Sequence, residues 1–99
     1  MMMYFYEDNE VMNLLLHEKP MRILIGLRYS QGKTYPSMLA KFADCTYPHA
    51  VRILDVLERN GLVKYEKKGR IKYVVLTDKG DEIAFLLEEL YRKLKKLKG

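Results

Sequence analysis

Residues 46–80 read TYPHAVRILDVLERNGLVKYEKKGRIKYVVLTDKG, and the rest of the chain arranges itself around this stretch. Thr46 can cap a helix and Pro48 suits its first turn, where a missing N–H costs nothing. At 100° per residue Ala50, Ile53, Leu54 and Leu57 fall on one side and Pro48, Arg52, Asp55 and Arg59 on the other. The spacing predicts an amphipathic helix that closes at Asn60-Gly61, where glycine takes the left-handed conformation of a helix end. Two β-branched and aromatic segments follow, Leu62–Glu66 and Arg70–Leu76, joined through Lys67-Lys68-Gly69, and together they predict a hairpin. Thr77 then caps a further helix of about twenty residues, with Asp78, Asp81 and Glu82 at its start and lysine and arginine at its end, as the helix dipole favours.

Upstream, Thr34-Tyr35-Pro36 repeats the helix-start tripeptide of Thr46-Tyr47-Pro48, too briefly for a structural repeat. With Thr34 as its cap it opens a helix of about two turns, with Leu39, Phe42 and Ala43 inward, ending in a tight Asp44-Cys45 turn. Earlier still, residues 9–17 predict a first helix with Asn9 as a possible cap. Pro20 opens a second, whose inward stripe is Ile23, Leu24 and Leu27 and which ends at Ser30-Gln31-Gly32-Lys33; one kinked helix is the alternative.

Ninety-nine residues with 48% hydrophobic content fit a single domain over residues 1–99, because so short a chain cannot divide its apolar side chains between two cores. No apolar run is long enough to span a membrane. The first residues lack the basic flank and small-residue cleavage site of a signal peptide, and Cys45 is the lone cysteine, so a reduced, cytoplasmic setting is expected. A net charge of +5 is unevenly placed: residues 1–18 carry four acids and no Lys or Arg, whereas residues 46–76 carry seven bases against three acids. A basic half is available to polyanions. The basic run at 91–99 reads equally as a solvated tail. One glutamine and three asparagines among many Lys, Glu and Tyr suggest a hot environment.

The order helix, helix, turn, helix, hairpin, long helix, with Leu57-Glu58-Arg59-Asn60-Gly61-Leu62-Val63 entering the hairpin and Leu76-Thr77-Asp78-Lys79-Gly80 leaving it, resembles the winged-helix regulators of the MarR and ArsR type. The likeness covers roughly residues 20–90, and small archaeal and archaeal-viral winged-helix proteins are the nearer comparison. The resemblance implies an α+β, mainly α fold: a winged helix-turn-helix with a two-stranded wing. Residues 20–76 form a DNA-binding core, and residues 77–99 a C-terminal dimerisation helix. It further implies a sequence-specific regulator that binds double-stranded DNA as a homodimer, with a non-specific architectural protein as the alternative. The chain lacks the extra helices with which larger MarR-type members build a dimer and an effector pocket, and no small-molecule ligand is evident.

Within that frame the helix at 46–59 reads the major groove. Its N-terminal half offers Tyr47, Pro48, His49, Val51 and Arg52, with Arg59 farther along. Arg52 can contact guanine bidentately, Val51 can pack on a thymine methyl, and His49 or Tyr47 can donate to phosphate or a base. A solvated helix face is the plain alternative, and Asp55 and Glu58 restrict the footprint. In the wing, Lys64, Lys67, Lys68, Arg70 and Lys72 concentrate charge that can meet the sugar-phosphate backbone or the minor groove; a lysine-rich hairpin also serves solubility and edge protection. Tyr65 and Tyr73 are expected to pack across the strands.

No catalytic set is present: the two histidines are His17 and His49, and no phosphate-binding glycine loop, His-Glu-x-x-His or Cys-x-x-Cys occurs. An enzyme is not expected, nor a cofactor. Cys45-x-x-x-His49 could begin a metal site, but a small packing residue in the turn is the simpler reading. Ile83, Leu87, Leu90, Leu94 and Leu97 are spaced 4-3-4-3, a heptad seam that predicts pairing of two C-terminal helices. Tyr4, Phe5, Tyr6 and the opening methionines are expected to cover apolar surface at or near that interface.

Overall fold

A computed structural model describes residues 10–97. The elements run α1 (Glu10–Leu15), α2 (Glu18–Ser30), α3 (Pro36–Ala43), α4 (Tyr47–Arg59), β1 (Val63–Lys68), β2 (Ile71–Leu76) and α5 (Asp78–Lys96). Asn9 and the aromatic N-terminal residues lie outside the described part. The first two helices are separate, because His17 is extended (φ −107°, ψ 153°) and holds the N-cap position of α2 without a side-chain bond. Among the described residues no helix is long and apolar enough to cross a membrane.

The core lies where α2, α3 and α4 meet the base of the hairpin. Ile23, Leu24, Leu39, Ile53, Leu54, Leu57, Val63 and Val74 are its largest fully buried side chains. The predicted inward faces of α2 and α4 are the observed ones. In α3 the prediction is corrected at one place: Leu39, Ala40 and Ala43 point inward, whereas Phe42 is 53% exposed. Its ring lies against Gly26, where the missing side chain lets it rest on α2 instead of entering the core.

The two tripeptide echoes differ. Thr46 caps α4 as expected, its hydroxyl accepting from the His49 N–H at 3.2 Å. Thr34 caps nothing: Tyr35 holds the N-cap position of α3 without a side-chain bond. Thr34 is buried, and its carbonyl accepts from the Val74 N–H at 2.9 Å, a one-residue bridge on the free edge of β2. A β-branched residue in extended chain suits that place better than a cap.

The hairpin also turns later than expected. Lys67 and Lys68 belong to β1, opposite Lys72 and Ile71, and the turn is Gly69-Arg70. Gly69 has φ +63°, and glycine in the first position of a two-residue turn matches the twist of the strands. Tyr65 and Tyr73 sit on opposite faces, opposite Val74 and Glu66, and do not pack on each other. Lys72 lies 4.4 Å above the Tyr65 ring, while Tyr73 meets Tyr35 edge-on at 6.4 Å.

The base of the wing is clasped. The Leu62 carbonyl accepts from the Thr77 N–H at 3.0 Å, and the Thr77 hydroxyl donates to the Gly61 carbonyl at 2.6 Å. The same hydroxyl accepts from the Gly80 N–H at 3.1 Å and so caps α5. The Cα of Gly80 faces the Leu62 carbonyl so closely that a β-carbon would overlap its oxygen. The sequence signatures entering and leaving the hairpin are therefore the two halves of one contact.

α5 buries Gly80 against the base of the wing and, further along, Ala84 and Glu88 on the side that meets α2, a stripe roughly 100° around the helix from the leucine seam. Of the seam, Ile83 and Leu87 pack partly on the chain's own core, while Leu90, Leu94 and Leu97 are 44%, 48% and 79% exposed. The seam is thus divided: its first two residues serve the domain, and its last three face outward.

Candidate nucleic-acid interface

α4 presents Tyr47, Pro48, Arg52 and Asp55 to solvent, with His49 and Val51 half-buried beside them. This follows from its amphipathic pattern, which commits Ala50, Ile53, Leu54 and Leu57 to the core. The start of α4 and the tip of the wing flank one hollow of about 420 Å³, whose walls include Tyr47, Arg70 and Lys72. Of the predicted residues, Tyr47 from α4 and Arg70 and Lys72 from the wing are thereby brought to one hollow.

Arg59 is placed differently. Its guanidinium binds the Glu10 carboxylate of α1, which also accepts from the Asn60 side chain at 3.2 Å. The Arg59 guanidinium, and after it the Asn60 amide, hold the Glu10 carboxyl below the usual carboxylate range. The far end of α4 is thereby tied to α1.

Wing charge is split between the two faces of the hairpin. Lys67 and Lys72 face each other across the strands on the side of Tyr65; Lys64 and Lys68 lie on the other side, Lys64 within 3.9 Å of Glu66. Among the described residues Lys67, Lys68, Arg70 and Lys72 form no ion pair. Like charges directly opposite on a sheet are unfavourable, so this tip gains from an external anion. Burial, then the nearby Asp55 and Glu58 carboxylates, push the Tyr65 hydroxyl above its ordinary range.

Sequence reasoning missed a polar cluster between α2 and α5. Glu88 is 3% exposed and accepts from Arg28 at 2.9 Å, from Arg92 at 2.8 Å and from the Tyr29 hydroxyl. The Tyr29 hydrogen bond, then Arg28, hold its carboxyl below the usual range despite burial. The i,i+4 series Gly80, Ala84, Glu88 was the available signal, since two small residues in line mark a close helix contact. Cys45 packs against the core, and burial raises its thiol. No group of three or more His, Cys, Asp or Glu that could hold a metal occurs among the described residues.

Three helices with a helix-turn-helix at α3–α4, a two-stranded wing and a long C-terminal helix define the winged-helix fold. The model of the DUF6293 C-terminal winged helix domain matches residues 50–88. A curated but uncharacterized protein of Archaeoglobus fulgidus is 30% identical over 80 residues, covering 78% of this chain and 84% of its own. The chain belongs to the same family as that protein, and it is a winged-helix protein of MarR-like fold. Among solved structures, an Archaeoglobus fulgidus protein superposes with TM-score 0.73 and 27% identity over 83% of this chain and 93% of that one. A MarR family transcriptional regulator of Silicibacter pomeroyi superposes with TM-score 0.72 and 26% identity, over 81% of this chain and 57% of that one. This chain therefore spans little more than half of that regulator's length.

Proposed function

We propose that the chain is a transcription regulator that binds double-stranded DNA sequence-specifically as a homodimer. The observation that carries the reading is the shared hollow, which sets the exposed start of α4 beside unpaired wing cations. Inserted in a major groove, α4 would present Tyr47, His49, Val51 and Arg52 to base edges, with Arg52 placed for guanine. The wing would meet phosphates and so supply affinity more than sequence choice. Likeness to the MarR family regulator of Silicibacter pomeroyi supports the same reading.

Exposure of Leu90, Leu94 and Leu97 on α5 supports pairing of two chains. At 44–79% exposed, each forgoes roughly 1–2 kcal/mol of the burial that a partner helix would supply. A two-fold pair would set its two reading helices about one DNA turn apart and favour a palindromic site. The test is selection from a random duplex library, followed by binding in excess random competitor. Enrichment of one inverted repeat that survives competition is the expected result; binding that follows phosphate density alone would leave an architectural protein.

A further inference from the structure

The hollow beside the reading helix has a third wall that the sequence did not single out: Tyr35 and Ser37 at the start of α3. With Tyr47 from α4 they bring three hydroxyls to a space whose remaining polar side chains are Arg70 and Lys72. No carboxylate lines it. Ser37 is exposed and Tyr35 half-buried, its ring held edge-on by Tyr73.

The main chain adds a donor. Val74 gives its N–H to Thr34 on the edge of β2 that faces away from β1. Strand alternation turns the N–H of Lys72, two residues nearer the tip, to that same edge. There the chain opposite has already left the sheet at Tyr35-Pro36 to begin α3. Hydroxyl-bearing residues from two helices, two cationic residues from the wing and one strand edge thus line one space, and none of the side chains is anionic; the Lys72 ammonium, now over the Tyr65 ring, reaches it by swinging off that ring. That set suits an oxyanion, for which donors are wanted on several sides and carboxylates on none.

We propose that this hollow seats one backbone phosphate of duplex DNA at the junction of α3, α4 and the wing, with Tyr35 and Ser37 as positioning donors. The proposal rests on the DNA-binding reading above and adds to it a fixed point. A phosphate held between the reading helix and the wing would set the depth and angle at which α4 enters the groove.

A double-mutant cycle tests it without knowledge of the preferred site. Affinity for a labelled 20-base-pair duplex at low salt is measured by anisotropy for the parent, Tyr35→Phe with Ser37→Ala, Arg70→Ala, and all three together. Phenylalanine keeps the ring contact with Tyr73, and Ser37 is exposed, so both hydroxyls go without loss of core. Each variant should weaken binding by about tenfold, the worth of a hydrogen bond to a charged group. Because all act on one phosphate, the combined loss should fall well short of the product of the separate losses. Losses that multiply, or a hydroxyl variant that binds like the parent, would overturn the shared site while leaving DNA binding intact. A parent with no affinity for duplex would overturn the DNA reading itself. Submillimolar binding of inorganic phosphate to the free chain would assign the hollow to a soluble anion and overturn the proposal as well.

Discussion

Two helical glycines, replaced by alanine, should differ sharply in what they cost. At Gly80 a methyl would overlap the Leu62 carbonyl oxygen and lie 2.8 Å from its carbon and 3.1 Å from a Leu76 methyl. The first two obstacles are backbone, so relief requires α5 to move off the base of the wing. Overpacking of this kind costs up to about 3 kcal/mol. Weakening the Thr77–Leu62 hydrogen bond adds about 1 kcal/mol, and the better helix propensity of alanine returns about 1 kcal/mol. The balance is a destabilisation of about 3 kcal/mol, or a fall in Tm of roughly 12–24 °C for a domain this small. At Gly26 the obstacle is the Phe42 ring, 2.7 Å from the added carbon but 53% exposed and free to swing outward. There the propensity gain offsets the lost ring contact, and stability should stay within about 1 kcal/mol of the parent. Thermal and urea unfolding at one protein concentration measure both. A Gly80→Ala variant as stable as the parent, or a Gly26→Ala variant that is the more damaged of the two, would refute this account of how α5 meets the wing.

Further outcomes follow from the interface and the α2–α5 cluster. Arg52→Ala should weaken binding to a selected site by about 1–3 kcal/mol and random duplex much less; equal losses in competition assays would remove it from base reading. Lys67→Ala with Lys68→Ala should lower affinity on all sequences alike and reduce the salt slope by up to about two phosphate contacts, and an unchanged slope would take the wing out of the interface. Leu90→Glu with Leu94→Glu should sediment as a folded monomer that binds DNA weakly, whereas a persistent dimer would show that the outer seam is not the contact; Leu87 is left alone because it packs on its own core. Glu88, whose folded carboxyl is held low by Tyr29 and then Arg28, contributes stability above its unfolded value near 4.3 that is lost as pH falls through the folded one. Urea midpoints of Glu88→Gln should therefore fall less steeply than the parent's from pH 5 to 3, and parallel profiles would contradict that role.

The sequence was most legible where one local pattern decided the outcome. The wheel over residues 47–59 named the four side chains of α4 that are buried to 1% or less, and glycine and threonine marked both ends of the hairpin. What escaped it depended on neighbours distant in the chain. Thr34 looked like a cap until Val74 claimed its carbonyl. Phe42 followed the period of a buried face, but Gly26, sixteen residues earlier, offered it a place outside. The seam of α5 was visible as spacing, yet no period tells how much of it the domain consumes for itself. Arg59 read as a DNA contact on the outer face of α4, and only the return of α1 to the end of that helix gives it Glu10 instead. Ser37 carried no motif and Tyr35 figured only in a helix-start tripeptide; the hollow exists because three separate segments meet.

The clasp at the foot of the wing separates what must stay constant from what is free to vary. Gly61, Leu62, Thr77 and Gly80 close the hairpin against the helices at its base, while residues 66–72 are exposed apart from a half-covered Tyr73 beside them. Beyond the clasp the ladder is a plain antiparallel pair, so length can change in steps of one residue on each strand. Two such steps return every side chain to its original face, whereas one exchanges the faces. A lineage could therefore lengthen the arm, shorten it or rewrite its charges to suit a different groove, and the foundation would hold the same helices at the same angles throughout.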